Sequence, residues 1–444
     1  MKMPQKPPRD WRNAFYSKSI ELLKSLHNQV KENGPAPGGK YRHWDTLRHI
    51  EPPEGLTSEQ WWSTLKMARQ SHYRTISLLL DKQGSPFQYA LVDPVLERLH
   101  RIDRDASGHI ALPEQATSPE MRDRHIVNSL IEEAITSSQL EGAATTRAVA
   151  KEMIRTGRKP VDKSEQMILN NFRAMQFIRA HTDERLTPDF VFQIHRIVTE
   201  KTLAPDQPAL RQPQDGIGVY SDTGLLLHKP PSAQEIEERL VRMCTFANEA
   251  ETGIFLHPVL KAIILHFWLA YDHPFTDGNG RTARALFYWS MLREGFWLAE
   301  YLSISRILKK APARYGRSFL YTETDDNDLT YFILAQLRVI EQAIDALKHY
   351  LRRKAEELQS TKALLRPSEN LNHRQTALLS HALRHPGQIY TVESHQTSHA
   401  VAYDTARTDL LDLETKGFLT KEKRSKKYIF RAPTDLADRL REES

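Results

Sequence analysis

The sequence predicts a mainly α-helical protein of several domains, with a short β-hairpin in a helical core and a compact mixed unit near the C-terminus. Three observations carry this. From about 118 to 350 the apolar residues recur at helical spacing. Within that span lies LKAIILHFWLAY (260–271), apolar nearly all round, as a buried central helix should be. After LRPSENLN (365–372), a helix–turn–helix order is followed by a strand-like pair.

The elements run in chain order. NGPAPGGK (33–40) is a Gly/Pro breaker between a helix spanning Trp11 to Glu32 and the segment 41–112. Residues 41–112 combine aromatic and helical patterns around a hairpin or turn at DKQGSPF (81–87). In RQPQDGIGVYSDTGLLLHKPP (211–231), the apolar runs GVY and LLLH flank Ser221-Asp222-Thr223-Gly224, which reads as a β-hairpin stopped by Pro230-Pro231. The C-terminal unit reads as helices 373–385, 391–397 and 402–416, with a turn at Pro386-Gly387, then the stretch FLTKEKRSKKYIFR (418–431). The resulting divisions are 1–112, 113–160, 161–350 and 366–435, in keeping with roughly 100–200 residues per domain.

Composition narrows the classes. A net charge of +6 and a pI near 9.1 permit a polyanionic partner without demanding one, because the excess is small for 444 residues. The single cysteine, Cys244, excludes an intrachain disulfide and fits a reducing, cytoplasmic setting. The N-terminus lacks the apolar run of a signal peptide, and 260–271 is too short to span a bilayer, so no membrane role is expected.

The chemistry concentrates in HPFTDGNGRTAR (273–284). Pro274 disfavours helix at His273, and RTARALFYWSMLREGF resumes a helical pattern, so a tight loop leads into a helix N-terminus. Such a loop offers bare N–H groups and the positive end of the helix dipole, and its glycines allow positive φ and close approach to a ligand. Arg281 and Arg284, three apart, share a helix face and add charge-assisted donors for an anion. Asp277 suits Mg²⁺, which binds carboxylate and phosphate oxygens together. His273 suits general-base work near neutral pH. Phe275 points most simply into the core and fixes the loop. The reaction class is phosphoryl or nucleotidyl transfer to a hydroxyl. The alternative is a glycine-rich turn between core helices with surface arginines.

These residues match HPFx[DE]GNGRxxR at every fixed position, and by that match the chain resembles the Fic (Fido) family over about 120–350. The resemblance implies a Fic-type helical core, a hairpin flap that aligns the target segment, and transfer of AMP from ATP to a Ser, Thr or Tyr hydroxyl of a protein. It implies that His273 takes the hydroxyl proton and Asp277 coordinates Mg²⁺. Gly278, Asn279 and Gly280 would cradle the phosphates, Arg281 would bind the leaving group, Arg284 would reach the γ-phosphate, and Phe275 would anchor the loop. Branches that phosphorylate carry lysine where this chain has Gly280, which favours AMP transfer.

Upstream, IVNSLIEEAITSSQLEG (126–142) alone reads as an amphipathic helix with a glycine cap. Beside the Fic signature, SSQLEG also resembles the [ST]xxxE[GN] inhibitory motif, which brings in Ser137, Glu141 and Gly142. The resemblance implies that Glu141 pairs with Arg284 and holds activity down. In the related enzymes the same glutamate can support AMP removal.

The C-terminal unit resembles the winged helix of bacterial regulators. Arg407, Lys421, Lys423, Arg424, Lys426 and Lys427 could meet DNA phosphates, whereas Asp404, Asp409, Asp412 and Glu414 on the same helix argue against base readout. A protein-interaction or dimer module is the alternative. Expected partners are a protein target, the chain itself included, DNA through the winged helix, and a second copy as a homodimer. A rival reading makes the chain a DNA-binding regulator whose core senses nucleotide. His257 and His266 read as core or supporting histidines, Trp61 and Trp62 as packing, Cys244 as buried and inert, and Tyr315 as either pocket wall or ordinary helix face.

Overall fold

The computed structural model describes residues 1–11, 34–106, 119–204, 209–249, 255–365, 371–385, 387–399, 401–424 and 427–442. Most of the expected helix from Trp11 to Glu32, most of the linker at 365–372, Pro386 and Lys426 lie outside them. Two compact units emerge. The first holds Met1–Leu112 and Thr117–Leu347, and the second holds Pro113–Ala116 and Lys348–Ser444.

The first unit is helical, with two hairpins. Its elements are α1 (Ser58–Gln70), β1 (Tyr73–Leu80), β2 (Pro86–Ala90), α2 (Asp93–Ala106), α3 (Pro119–Leu140), α4 (Arg147–Thr156), α5 (Lys163–Ala180) and α6 (Pro188–Thr199). They continue with β3 (Val219–Tyr220), β4 (Leu226–His228), α7 (Ile236–Asn248), α8 (Pro258–Asp272), α9 (Asn279–Arg293), α10 (Ile304–Lys310), α11 (Pro312–Thr324) and α12 (Thr330–Leu365), whose residues from Lys348 on belong to the second unit. Both hairpins expected at 81–87 and 221–224 form, as β1 with β2 and β3 with β4.

Helix α8 explains the architecture. Pro258 opens it with a φ already suited to a helix, and the His257 side chain accepts from the Val259 amide. Twelve of its fifteen residues are buried, so it lies at the centre and the other helices gather around it. Helix α9 packs along it and is buried to the same extent, and α5 and α6 close on α9. The loop between α8 and α9 is thus anchored at both ends in the densest part of the unit.

Residues 1–112 join this core through buried charge. Lys66 Nζ donates to Asp325 at 2.8 Å, with both side chains almost fully shielded from solvent. Arg69 donates to the Tyr331 hydroxyl at 2.9 Å and stacks over the Tyr41 ring at 3.7 Å. Trp61 and Trp62 pack in a small apolar cluster with Trp44 and Leu47, which is the packing role the sequence suggested. Cys244 is buried on α7, and burial pushes its thiol up to about 12, far from reactive.

The second unit contains α13 (His373–Arg384), β5 (Ile389–Tyr390), α14 (Val392–His399), α15 (Tyr403–Thr415), β6 (Thr420–Arg424), β7 (Lys427–Arg431) and α16 (Leu436–Glu442). Its sheet is antiparallel in the order β5-β7-β6. Leu379, Ala406, Leu410, Leu413 and Phe430 centre its core. Asp409 faces inward and binds Arg374 at 2.6 Å and His395 at 3.2 Å. Asp412 accepts from Gln375 at 2.6 Å. Two of the four acids that weighed against a DNA-facing helix are therefore occupied within the unit. Among the described residues, no helix is long and apolar enough to cross a membrane.

Burial also sets an acid sensitivity. It lowers His43, His195 and His273 to about 4 and His266 to about 3. The unfolded chain takes up these protons near pH 6.5, so stability is complete above that pH and falls as pH drops toward 4. Each such histidine contributes a slope of about 1.4 kcal/mol per pH unit. Asp272, raised by burial to about 6, works in the opposite sense and offsets part of it. Denaturant melts at pH 7, 6 and 5 should show a steep fall of several kcal/mol; a flat profile over that window would refute this account.

Candidate functional site

The loop after α8 begins with a backbone exception. His273 caps α8 at φ 47°, ψ 52°, in the left-handed region that a non-glycine residue seldom occupies. Arg211 and contacts to the neighbouring residues hold it there. Arg211 donates from Nε to the His273 carbonyl at 2.7 Å and from Nη2 to the carbonyls of Pro231 at 2.7 Å and Asp272 at 3.1 Å. Asp272, buried one residue back, accepts from Arg239 Nη1 and Trp268 Nε1, both at 2.9 Å. Residues 209–211 run beside the loop, with the Arg211 amide on the Pro274 carbonyl at 3.1 Å and the Thr276 amide on the Ala209 carbonyl at 3.0 Å.

The His273 ring is set for one tautomer. Its Nδ1 lies 3.2 Å from the Ala270 carbonyl, a partner that only accepts, so Nδ1 carries the proton and Nε2 is left as the base. Burial lowers the ring to about 4, chiefly by disfavouring its charged form. The neutral ring is the form that can accept a proton at pH 7.

Phe275 and Asn279 brace the loop from behind. Phe275 is fully buried and stacks on His195, with centroids 3.7 Å apart. Asn279 clamps its backbone, accepting from the Phe275 amide at 2.9 Å and donating to the Phe275 carbonyl at 2.8 Å. The Asn279 side chain is thereby committed to the loop, and its contribution to an anion would come from the backbone. His195 Nε2 lies 2.9 Å from the Asp277 carbonyl and fixes the next stretch.

The helix start is left open. Gly278 takes φ 83° at the α9 N-cap, and no side chain caps the first turn, so its amides face outward as an anion site requires. A Cβ on Gly278 would lie 2.8 Å from the Thr199 methyl, a second reason for glycine. Gly280 departs from the expectation of positive φ. It lies within α9, and its constraint is steric: a Cβ there would stand 2.1 Å from Glu141 Oε1.

Both arginines of α9 are buried beneath this open turn. Arg281 donates to the Val198 carbonyl at 2.6 Å and reaches Asp277 Oδ1 at 3.5 Å, while its Nε has no partner. Arg284 donates from Nε to Ser137 Oγ at 2.8 Å and from Nη2 to the Ser137 carbonyl at 3.0 Å and to Glu141 Oε1 at 2.8 Å. The end of α3 therefore closes over the helix start. That end is well anchored. Ser138 Oγ donates to the Met167 carbonyl at 3.1 Å, and buried Glu133 accepts from Ser303 and from the Ser305 amide. Gly142, at φ 92°, turns the chain away after Glu141.

Tyr315, from α11, completes the wall. Its hydroxyl lies 2.8 Å from His266 Nε2, and it is close enough to interact with Arg284. Of the two uses the sequence allowed for Tyr315, the structure places it beside the site. His228, on β4, spans from the Tyr271 carbonyl at 2.7 Å to Glu323 at 2.9 Å and ties the hairpin to α8 and α11. Arg211, Arg239, His195 and His228 escaped the sequence reading, because no spacing links them to the loop they hold.

Asp277 fits a shared magnesium ion. Its side chain is about 39% exposed, and only Oδ1 is engaged, by the Gly278 amide at 2.6 Å and by Arg281. Among the described residues no cluster of three or more His, Cys, Asp or Glu could cage a metal alone. One open carboxylate beside an anion cradle is the donor set for a Mg²⁺ that takes its remaining ligands from phosphate and water.

Comparisons with known proteins show what the chain is similar to. Residues 185–291 match the family model described as Fic/DOC family. The chain is 26% identical over 260 residues to Protein adenylyltransferase Fic of Nematostella vectensis, an alignment covering 56% of this chain and 55% of that protein. It is 25% identical over 224 residues to Protein adenylyltransferase fic-1 of Caenorhabditis elegans, covering 50% of this chain and 42% of the relative. The chain thus spans about half the length of the curated relatives it matches. Among solved structures, a Fic family protein from Desulfovibrio desulfuricans G20 aligns at a TM-score of 0.50 and 17% identity, over 78% of this chain and 98% of that one.

Proposed function

We propose, for a chain that carries a Fic/Fido domain homologous to protein adenylyltransferases, that it transfers AMP from ATP to a Ser, Thr or Tyr hydroxyl of a protein and is held in check by Glu141. The observation that carries this is the joint placement of a neutral buried histidine, an uncapped helix start and two buried arginines on the α8–α9 loop and the first turns of α9.

The roles follow from the geometry. His273 Nε2 accepts the proton of the attacking hydroxyl, and Nδ1–H on Ala270 keeps the ring turned toward it. The open amides of the first turn of α9 and the arginines hold the phosphates and meet the negative charge that grows on the departing diphosphate. Asp277 would hold Mg²⁺, which when bound neutralises charge between phosphates. Arg211, Arg239 and His195 keep the loop fixed, so little reorganisation is needed in the reaction. Glu141 occupies the donor edge of Arg284 and places a carboxylate where a phosphate oxygen would lie. The commitment of Asp409 and Asp412 to partners within the second unit supports a winged-helix module with a more basic outer face, and DNA remains its proposed partner.

Labelling distinguishes AMP transfer from phosphoryl transfer. The Glu141→Gly protein, with Mg²⁺ and ATP labelled at the α-phosphate, should incorporate label into itself or an added protein. ATP labelled at the γ-phosphate should leave the protein unlabelled. Label arriving only from the γ-position would replace this reading with a kinase, and binding of ATP with no transfer from either position would favour a nucleotide sensor.

A further inference from the structure

A second concentration of positive charge lies outside the α8–α9 loop. Lys40, Arg98, Arg314, Arg317 and Arg338 line one concavity of about 220 Å³. They come from four places in the fold: the segment before α1, then α2, α11 and α12. Arg98 pairs with Glu341, and Arg317 lies 4.0 Å from Asp45. Among the described residues Lys40, Arg314 and Arg338 have no carboxylate within ion-pair distance. Of the five cations that line this space, two have a carboxylate partner and three have none among the described residues.

That arrangement opposes itself. Partial burial, then the nearby charges of Arg98 and Arg314, lower the Arg338 guanidinium, with Glu341 pulling the other way. Like charges gathered at one spot repel, and an anion between them relieves the repulsion. The walls are built for more than a stray ion. Tyr41, Tyr321 and Tyr331 line the same space, and Tyr321 is stacked on His43 with centroids 4.3 Å apart. The Tyr41 hydroxyl is fixed on Asp328 at 2.6 Å and the Tyr331 hydroxyl on Asp325 at 2.8 Å. Rigid rings therefore carry the rim on which the long arginines sit.

The volume decides between ligand classes. Clefts for drug-sized molecules run to about 300–1,000 Å³, so this one suits a compact charged group. Guanidinium forks match phosphate oxygens in planar, paired contacts, and several forks suit adjacent phosphates better than a single carboxylate. We propose that this concavity binds a diphosphate group, free or at the end of a larger molecule, at a site separate from the α8–α9 loop. Residues 1–112 supply Lys40 and Arg98 and the core supplies the rest, so the ligand clasps the two together. Helix α11 carries Arg314 and Arg317 on either side of Tyr315, which reaches His266 and Arg284.

Calorimetric titration of the full chain with inorganic pyrophosphate tests this. Four proteins are compared: wild type, Arg314→Gln/Arg338→Gln, Arg284→Gln, and Arg48→Gln/Arg185→Gln as a control for exposed charge elsewhere. Saturable binding should weaken about tenfold or more in Arg314→Gln/Arg338→Gln, through loss of charge-assisted contacts. It should persist in Arg284→Gln and in the control pair. Since Arg314 and Arg338 lie at the surface, Arg338 only partly shielded, and neither makes an ion pair among the described residues, melting curves should coincide with wild type. A parallel titration with ADP separates the sources: an equal loss in the same double variant marks a nucleotide-borne diphosphate, and a loss confined to pyrophosphate marks the free ion. Unchanged affinity in Arg314→Gln/Arg338→Gln, equal weakening in the control pair, or no saturable pyrophosphate binding would overturn the proposal. None of these outcomes depends on transfer activity at His273.

Discussion

In the Glu141→Gly background, His273→Ala is expected to lower the rate of label transfer from ATP about 10²–10⁴-fold, the usual span for loss of a positioned general base. ATP binding should change little, because the proposed phosphate contacts come from α9 and its arginines. The measurement is single-turnover labelling at saturating ATP alongside a direct nucleotide titration. A pH profile adds a sharper criterion. Since burial lowers His273 to about 4, the ring stays unprotonated through the range where a free histidine would titrate. The acidic limb attributable to this base should therefore fall near pH 4, and activity between pH 8 and 6 should be nearly level. A limb centred near 6.5 that vanishes in His273→Ala would contradict the buried, neutral base. So would a rate in His273→Ala within about threefold of the parent, far short of that span.

Glu141→Gly itself should raise transfer about 10- to 150-fold. The reasoning is local. Glu141 Oε1 accepts from Arg284 at 2.8 Å, and Arg284 is almost fully shielded from water. A hydrogen bond to a charged group contributes about 1.5–3 kcal/mol, equivalent to about 10–150-fold. That is the advantage a phosphate must overcome to claim the same donors. Glu141→Gln separates charge from occupancy: the amide oxygen can still accept from Arg284, but the negative charge is gone. Its rate should lie between wild type and Glu141→Gly. Equal rates in wild type and Glu141→Gly, on a protein shown to bind ATP, would mean that the contact has no bearing on turnover.

The sequence made the loop legible because its constraints are local. Pro274 ended α8, the glycines opened α9, and three-residue spacing placed Arg281 and Arg284 on one helix. Both hairpins were legible for the same reason: apolar runs around turn residues need no distant partner. The hidden features depend on contacts between segments remote in the chain. Arg211 and Arg239 hold His273 from 62 and 34 positions away, and their neighbouring residues give no sign of it. His195 was equally silent, since its purpose is to stack on Phe275. The diphosphate-sized concavity draws on four segments, each with an ordinary arginine or lysine. Gly280 was read as a conformational glycine, when its need for a bare Cα comes from Glu141 across a helix contact that no spacing rule reports.

That last contact ties two choices together. With Glu141 seated on Arg284, position 280 has no room for even one methyl group. A chain that placed a longer side chain at 280, whatever chemistry it brought, would have to evict the carboxylate first. Residue 280 and residue 141 are thus a single negotiated vacancy. Drift at one position is licensed only by surrender at the other, and the Glu141–Arg284 contact can be lost by enlarging a glycine as readily as by deleting the acid.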